Sequence, residues 1–215
     1  MKIGSSVGTC EAAKWGKTPQ IQRKASETVK NAMTDSYVEQ LKEYAKNDAQ
    51  KGIYMDKEAI QFQHKQMNQY VSPDRSGMAQ ANQVLQELGR QEDEDPLLEF
   101  LDRMLGINAK VRKNSDKQTF VTMSGMAGSC SGKVHHNSTG QTAEIYSADG
   151  EMIASYNSHG DGWTIEQTKA ESKFLQESAM IYKQAFDAAR AEMKNAVQNQ
   201  PVACRGETTT FDVRA

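Results

Sequence analysis

The strongest periodic pattern in the chain lies in residues 169–198. Apolar residues recur there at spacings of three and four, with charged residues such as Lys173, Glu177 and Lys183 on the opposite side. Thr168 and Glu171 have the spacing of a capping box at the start of this segment, and Pro201 would end a helix. The pattern predicts one helix of about thirty residues. Its apolar stripe comprises Leu175, Ala179, Tyr182, Phe186, Ala189 and Met193.

A β-hairpin is predicted just before this helix. Residues 142–148 and 151–156 are rich in β-formers, and Asp149-Gly150 between them is typical of a two-residue type I′ turn. That turn would pair Tyr146 with Ile153. Residues 163–165 predict a short third strand. The face of the hairpin that we expect to be buried carries Ala143, Ile145, Met152, Ala154 and Tyr156.

The first half of the chain has the pattern of several helices. Apolar residues at helical spacing predict helices over residues 26–52, 57–70 and 77–88, and a fourth that begins at Asp95-Pro96. The first helix contains a capping pair, Ser36 and Glu39, so it either starts near Tyr37 or bends there. The apolar faces of these helices are thin, which favours a partner that completes them.

A basic segment at residues 108–117 separates the helical half from a strand-bearing half, and we interpret it as a linker. Further strands are expected at residues 119–123 and 133–136. Four regions follow: a flexible arm at residues 1–25, a helical region at 26–107, a meander plus long helix at 108–200, and a flexible tail at 201–215. The predicted fold class is α+β, with N-terminal helices followed by a small antiparallel β-meander packed against a long C-terminal helix.

Composition and charge narrow the functional classes. The net charge of −2 and the pI of about 6.1 argue against nucleic acid as a partner. No apolar run approaches the roughly 20 residues of a membrane span, so no membrane partner is expected. Cys10, Cys130 and Cys204 are odd in number and far apart, unlike a disulfide framework. Because no apolar leader segment is recognisable either, we expect a cytoplasmic protein.

The candidate chemistry lies in the loops around the strands. A thiol enzyme would use Cys130 as its nucleophile, with His135 or His159 as the base. A metal site would combine one histidine of the His135-His136 pair with His159 and Asp161, but the spacing matches no zinc signature. Residues 127–134 lack the first glycine and the final hydroxyl residue of a phosphate-binding P-loop. We therefore assign no metal and no cofactor.

The sequence leaves three functions open. We favour a non-catalytic protein-interaction or structural module that binds a protein partner or associates with itself, because the thin helix faces need a cover. The first alternative is a small metal- or thiol-dependent enzyme that uses the loops of Cys130, His135, His159 and Asp161. The second alternative is a protein exported without a cleaved signal peptide, with its polar first 25 residues as the address.

Overall fold

The computed structural model describes residues 17–91, 93–115 and 117–198 of the 215-residue chain. Within these residues, five helices precede a six-stranded sheet and a sixth, long helix follows it, which confirms the α+β class. None of the helices described combines the length and apolar character that a membrane crossing requires. The helices are α1 (Lys17–Ala32), α2 (Asp35–Lys51), α3 (Lys57–Tyr70), α4 (Gly77–Leu88), α5 (Glu94–Leu105) and α6 (Lys169–Gln198).

The strands form one antiparallel meander in which each strand pairs with the next along the chain. They are β1 (Asn108–Lys113), β2 (Thr119–Met126), β3 (Cys130–Asn137), β4 (Gly140–Tyr146), β5 (Met152–Asn157) and β6 (Gly162–Ile165). Strand β1 replaces most of the expected linker. The basic composition was misleading because half-buried Ala109 and Val111 alternate with exposed Lys110 and Arg112, which is the pattern of a strand.

The N-terminal helix α1 corrects the expectation of a flexible arm over residues 1–25. It begins at Lys17, and Ala25 and Val29 are buried. Residues 1–16 and the predicted tail at 201–215 lie outside the described residues. Helix α1 ends at Ala32, and α2 starts as a separate helix. The N-cap of α2 is Thr34 rather than Ser36, since the Thr34 hydroxyl accepts a hydrogen bond from the amide of Tyr37 at 3.2 Å.

One face of the sheet packs on α4 and α5 and forms the first hydrophobic core. We call it the sheet core. Its buried members are aliphatic or sulfur-containing and come from a continuous stretch of the chain. Alternate residues of the strands and residues at helical spacing in α4 and α5 point into it. Among them are Val84, Leu85, Leu97, Leu101, Val121, Met123, Val134, Ile145, Ile153 and Ala154.

The chain reverses at Gly150 as predicted, but the turn has three residues instead of two. Gly150 has a φ of 80°, whereas Asp149 is not among the residues with positive φ, so the turn is not type I′. The amide of Gly150 donates to the carbonyl of Ser147 at 2.8 Å, and the amide of Ser147 donates to the carbonyl of Glu151 at 2.9 Å. This is a type I turn followed by a left-handed glycine.

The extra turn residue is absorbed by a bulge in the hairpin. Tyr146 lies opposite Met152 rather than Ile153, yet Ile145 lies opposite Ala154 as predicted. Because of the bulge, the side chain of Ile153 points into the sheet core, where it is fully buried. Of the predicted buried face, Ala143, Ile145 and Ala154 are buried in the sheet core and Tyr156 packs against it. The prediction was wrong for Met152, which lies opposite Tyr146 because of the bulge and is not part of that core.

The long helix α6 was expected to pack against the sheet. In the structure it packs against α1, α2 and α3 instead. On α2, Leu41, Ala45 and Ala49 recur every four residues and let α6 approach closely. Phe174 and Tyr182 of α6 fill the space between the helices, and we call this second cluster the helical core. The thin apolar faces of α1 to α3 are therefore completed within the same chain.

The two cores meet at an ion pair between Arg75, in the α3–α4 loop, and Glu171, in the first turn of α6. The Arg75 guanidinium donates to both Glu171 carboxylate oxygens, at 3.1 and 2.8 Å, and to the carbonyls of Ile153 and Glu166. Glu171 also closes the predicted capping box, since its carboxylate accepts from the amide of Thr168 at 2.8 Å. Burial raises the pKa of Glu171, but the hydrogen bonds from Arg75 and its other donors outweigh this and leave it lowered.

Candidate functional site

Cys130 is the first residue of β3 and is buried in the sheet core rather than exposed in a loop. Its Sγ lies 3.4 Å from the carbonyl oxygen of Asp74, and a Cβ added to Gly77 of α4 would lie 3.3 Å from its Cβ. Burial, together with the charge of Asp74, raises the pKa of the thiol. The surroundings therefore disfavour the thiolate that a nucleophile requires.

His135 lies on the same strand as Cys130 but on the other face of the sheet. Five residues separate them, which is about 16 Å along a strand, so they do not form a nucleophile–base pair. The Nε2 atom of His135 is shielded from solvent and has no hydrogen-bond partner among the described residues. The neighbouring His136 points to the opposite face, where its Nδ1 lies 2.9 Å from Nε2 of Gln141.

His159 and Asp161 are exposed in the turn between β5 and β6. The amide of His159 donates to the side chain of Asn157 at 3.0 Å, and its Nε2 donates to the carbonyl of Thr139 in the β3–β4 turn. His159 thus links two turns at one end of the sheet. Cys130, His135 and the His159–Asp161 turn occupy three separate places. Within the described ranges, no group of three or more His, Cys, Asp or Glu residues is placed to hold a metal ion.

One buried carboxylate, that of Asp48, lies in the helical core and stabilises the α2–α3 loop. The hydroxyl of Tyr182 donates to it at 2.5 Å, and the amide of Asp56 donates to it at 3.1 Å. The amide of Met55, a residue with a φ of 60°, donates to the Tyr182 hydroxyl. Burial and the Asp48 carboxylate raise the pKa of Tyr182. These bonds tie the loop to α6, so we assign the group a structural role.

The face of the sheet opposite α4 and α5 is covered by none of the described helices, and we call it the open face. The strand register places its side chains in rows that run across the sheet. One row consists of Lys110, Thr122, Lys133, Glu144, Ser155 and Thr164, and the next consists of Arg112, Phe120, His135, Thr142 and Asn157.

The cations of the open face lie on its first three strands. Lys110 and Arg112 of β1 and Lys133 of β3 are exposed and take part in no ion pair within the described part of the chain. We call these three residues the cationic patch. No carboxylate lies on the β1–β3 part of the open face, and the nearest one along the rows is Glu144 on β4.

Aromatic rings lie against two of the three cations of the patch, Arg112 and Lys133. The guanidinium of Arg112 lies 5.1 Å from the centre of the Phe120 ring, and that ring stacks on His135 with centres 4.5 Å apart and an angle of 8°. Because Arg112 and His135 come from the two strands that flank β2, both faces of the Phe120 ring are covered. On the neighbouring side, Nζ of Lys133 lies 5.1 Å from the centre of the Tyr146 ring.

The hydroxyl of Tyr146 donates to the carboxylate of Glu144. Burial, together with that carboxylate, raises the pKa of Tyr146 to about 12, so the phenol is protonated at neutral pH. The negative charge nearest the cationic patch is thereby already engaged. The open face thus offers an array of positive charge that is suited to binding anionic groups.

The cationic patch was not predicted from the sequence because its residues come from two strands, β1 and β3, and the residues of β1 were interpreted as a linker. The available signal was the alternation of Lys110 and Arg112 with apolar residues in residues 108–113. No protein-family model, curated protein or solved structure matches the chain. The functional argument therefore depends on the geometry of the surface.

Proposed function

We propose that this protein is a non-catalytic protein-interaction module whose binding surface is the open face of the sheet. The observation that supports the proposal is the cationic patch, in which three exposed cations form no ion pair with any carboxylate of the described residues. Arginine and tyrosine are enriched at protein interfaces, and both occur here on a rigid sheet. We propose that it acts in the cytoplasm, as expected from the spacing of its three cysteines.

The helices α1 to α3 do not need a partner to cover their apolar faces. Thin apolar faces on α1 to α3 gave the original reason, but Phe174, Tyr182 and Phe186 of α6 cover them in the structure. The reason to expect a partner is now the cationic patch, whose three cations form no ion pair within the described residues. The enzyme alternative has less support, since the Cys130 thiol is buried and lies on the other side of the sheet from His135.

Site-specific photo-crosslinking tests this proposal. A photoreactive amino acid replaces Thr122, which is exposed between Lys110 and Lys133, and a matched control carries it at Gln184 on the exposed side of α6. In cells of the source organism, we expect a discrete protein adduct from position 122. That adduct should be lost when Lys133→Gln is added, and it should not form from position 184.

Two results would contradict the proposal. One is the same set of adducts from both positions, which would indicate random contact. The other is an adduct from position 122 that survives proteolysis but is removed by nuclease, which would make the open face a nucleic-acid surface.

A further inference from the structure

We propose that the cationic patch binds helix α5 of a second copy of this chain. This inference rests on the proposed function and names the partner surface. On α5, Asp95, Glu99 and Asp102 are all exposed and recur at spacings of four and three, so they lie on one side of the helix. We call these three residues the acidic stripe.

The two surfaces are complementary in charge. The cationic patch has three cations without ion-pair partners on the described chain, and the acidic stripe has three carboxylates. Glu99 contacts Arg103 at 2.5 Å, but both side chains are largely exposed, and such pairs contribute little. The protein as a whole has a net charge of only −2, so no large excess of one sign of charge opposes the approach of two copies.

The spacing of the charges also matches. Lys110 and Lys133 are separated by two strand spacings, which is about 9.6 Å across the sheet. Asp95 and Asp102 are seven residues apart on a helix, which is about 10.5 Å along its axis. A helix laid along the row from Lys110 to Lys133 would therefore bring one carboxylate near each lysine.

One molecule does not satisfy its own patch. Leu97 and Leu101 of α5 are buried in the sheet core, so α5 lies on the covered face of the sheet and the cationic patch on the other. A contact between two copies leaves one patch free at one end and one stripe free at the other. The association is therefore head-to-tail, and it either closes into a ring or continues to grow as protein is added.

Single-stranded nucleic acid is the competing anionic ligand, and the geometry favours it less. Sheets that bind single strands offer free aromatic ring faces on which bases stack. Here Arg112 and His135 cover both faces of Phe120. We therefore argue for the protein surface and include the nucleic acid in the test.

The test measures the mass of the full chain in solution by light scattering and sedimentation, from micromolar to millimolar concentration. Two neutralising variants are used: Lys110→Gln/Lys133→Gln removes the patch, and Asp95→Asn/Asp102→Asn removes the stripe. All of these side chains are exposed, so the fold is retained, which circular dichroism checks. The wild type should associate as concentration rises, and the association should weaken at least tenfold from about 0.05 M to about 0.5 M NaCl.

Each variant alone should associate at least tenfold more weakly than the wild type. An equimolar mixture of the two variants should form a 1:1 complex that does not grow further, because only one intact patch meets one intact stripe. A matched control, Lys183→Gln/Asp187→Asn on the exposed side of α6, should behave as the wild type.

A wild type that stays monomeric throughout, or one whose association is unchanged in both variants, would overturn this inference. If the protein is monomeric while position 122 still crosslinks another protein, the proposed function stands and only the self-docking is wrong. Binding of a fluorescent single-stranded oligonucleotide that is lost in Lys110→Gln/Lys133→Gln would overturn both.

Discussion

The two cores of this protein are built in different ways. The sheet core comes from one continuous stretch, residues 81–154, and is almost entirely aliphatic. The helical core joins residues 29–71 with residues 174–186, contains aromatic rings, and encloses polar groups such as Asp48 and Ser178. The sheet core is therefore specified by local pattern, whereas the helical core also depends on hydrogen bonds between distant segments.

This difference has a functional consequence. Helix α6 completes the helical core, and α4 and α5 complete one side of the sheet, so neither core needs a partner. The open face is the large surface that is left over from this packing. The predictions below test the junction between the cores, then the polar contacts of the helical core, and then the local turn of the sheet.

The largest effect is expected from Arg75→Ala, which removes the ion pair that joins the cores. The substitution leaves the Glu171 carboxylate buried without its main partner, and such losses cost about 3–5 kcal/mol. The free energy of unfolding in urea measures it. Arg103→Ala is the matched control, since its pair with Glu99 is exposed and should contribute less than about 1 kcal/mol. Equal losses in the two variants would contradict the account.

A smaller effect is expected from Tyr182→Phe in the helical core. It removes the hydroxyl that donates to Asp48 and accepts from Met55, and a lost hydrogen bond to a charged group costs about 1.5–3 kcal/mol. Tyr44→Phe is the control, because the Tyr44 ring packs on Phe62 while its hydroxyl has no hydrogen bond within the described residues. A Tyr182→Phe variant as stable as the Tyr44→Phe variant would show that Asp48 does not depend on this bond.

The turn of the sheet is tested by Gly150→Ala. Because Gly150 has a φ of 80°, alanine there should cost about 1–2 kcal/mol in the free energy of unfolding. Gly89→Ala serves as the control: Gly89 has a φ of −79°, so alanine should be neutral or slightly stabilising. If both substitutions have the same effect, the three-residue turn is wrong.

The smallest effect is a change in the pH dependence of stability. The folded pKa of Glu171 lies below its ordinary value of 4.5, so its contribution is fully present above about pH 4.5 and is lost as the pH falls through the folded pKa. One carboxyl accounts for at most about 1.4 kcal/mol per pH unit. Glu171→Gln should lose less stability than the wild type between pH 5 and 3. A wild-type slope in Glu171→Gln would contradict the lowered pKa.

Much of the fold could be predicted from sequence because its signals are local. The capping box of Thr168 and Glu171 forms as its spacing indicates, and the chain reverses at Gly150. The partner of α6 could not be predicted, since an apolar stripe does not say which surface covers it. Arg75 lies 96 residues from Glu171, and nothing in the local pattern of either residue indicates their ion pair.

The candidate site was harder to predict than the fold. Alternation along β3 correctly places His135 and His136 on opposite faces. The same alternation separates Cys130 from His135, but this became visible only when Cys130 proved to be part of the strand. The cationic patch required the register of β1, β2 and β3, which a single sequence does not contain.

Hydrogen exchange of the full chain at a concentration where it is monomeric tests the central claim most directly. If α6 completes the helical core, amides in α2 and α6 should be protected as strongly as those in β3 and β4, because they exchange only through global unfolding. Protection confined to the sheet and α4, with α1 to α3 exchanging like an unfolded chain, would contradict the account. The apolar faces of α1 to α3 would then again be the expected surface for a partner.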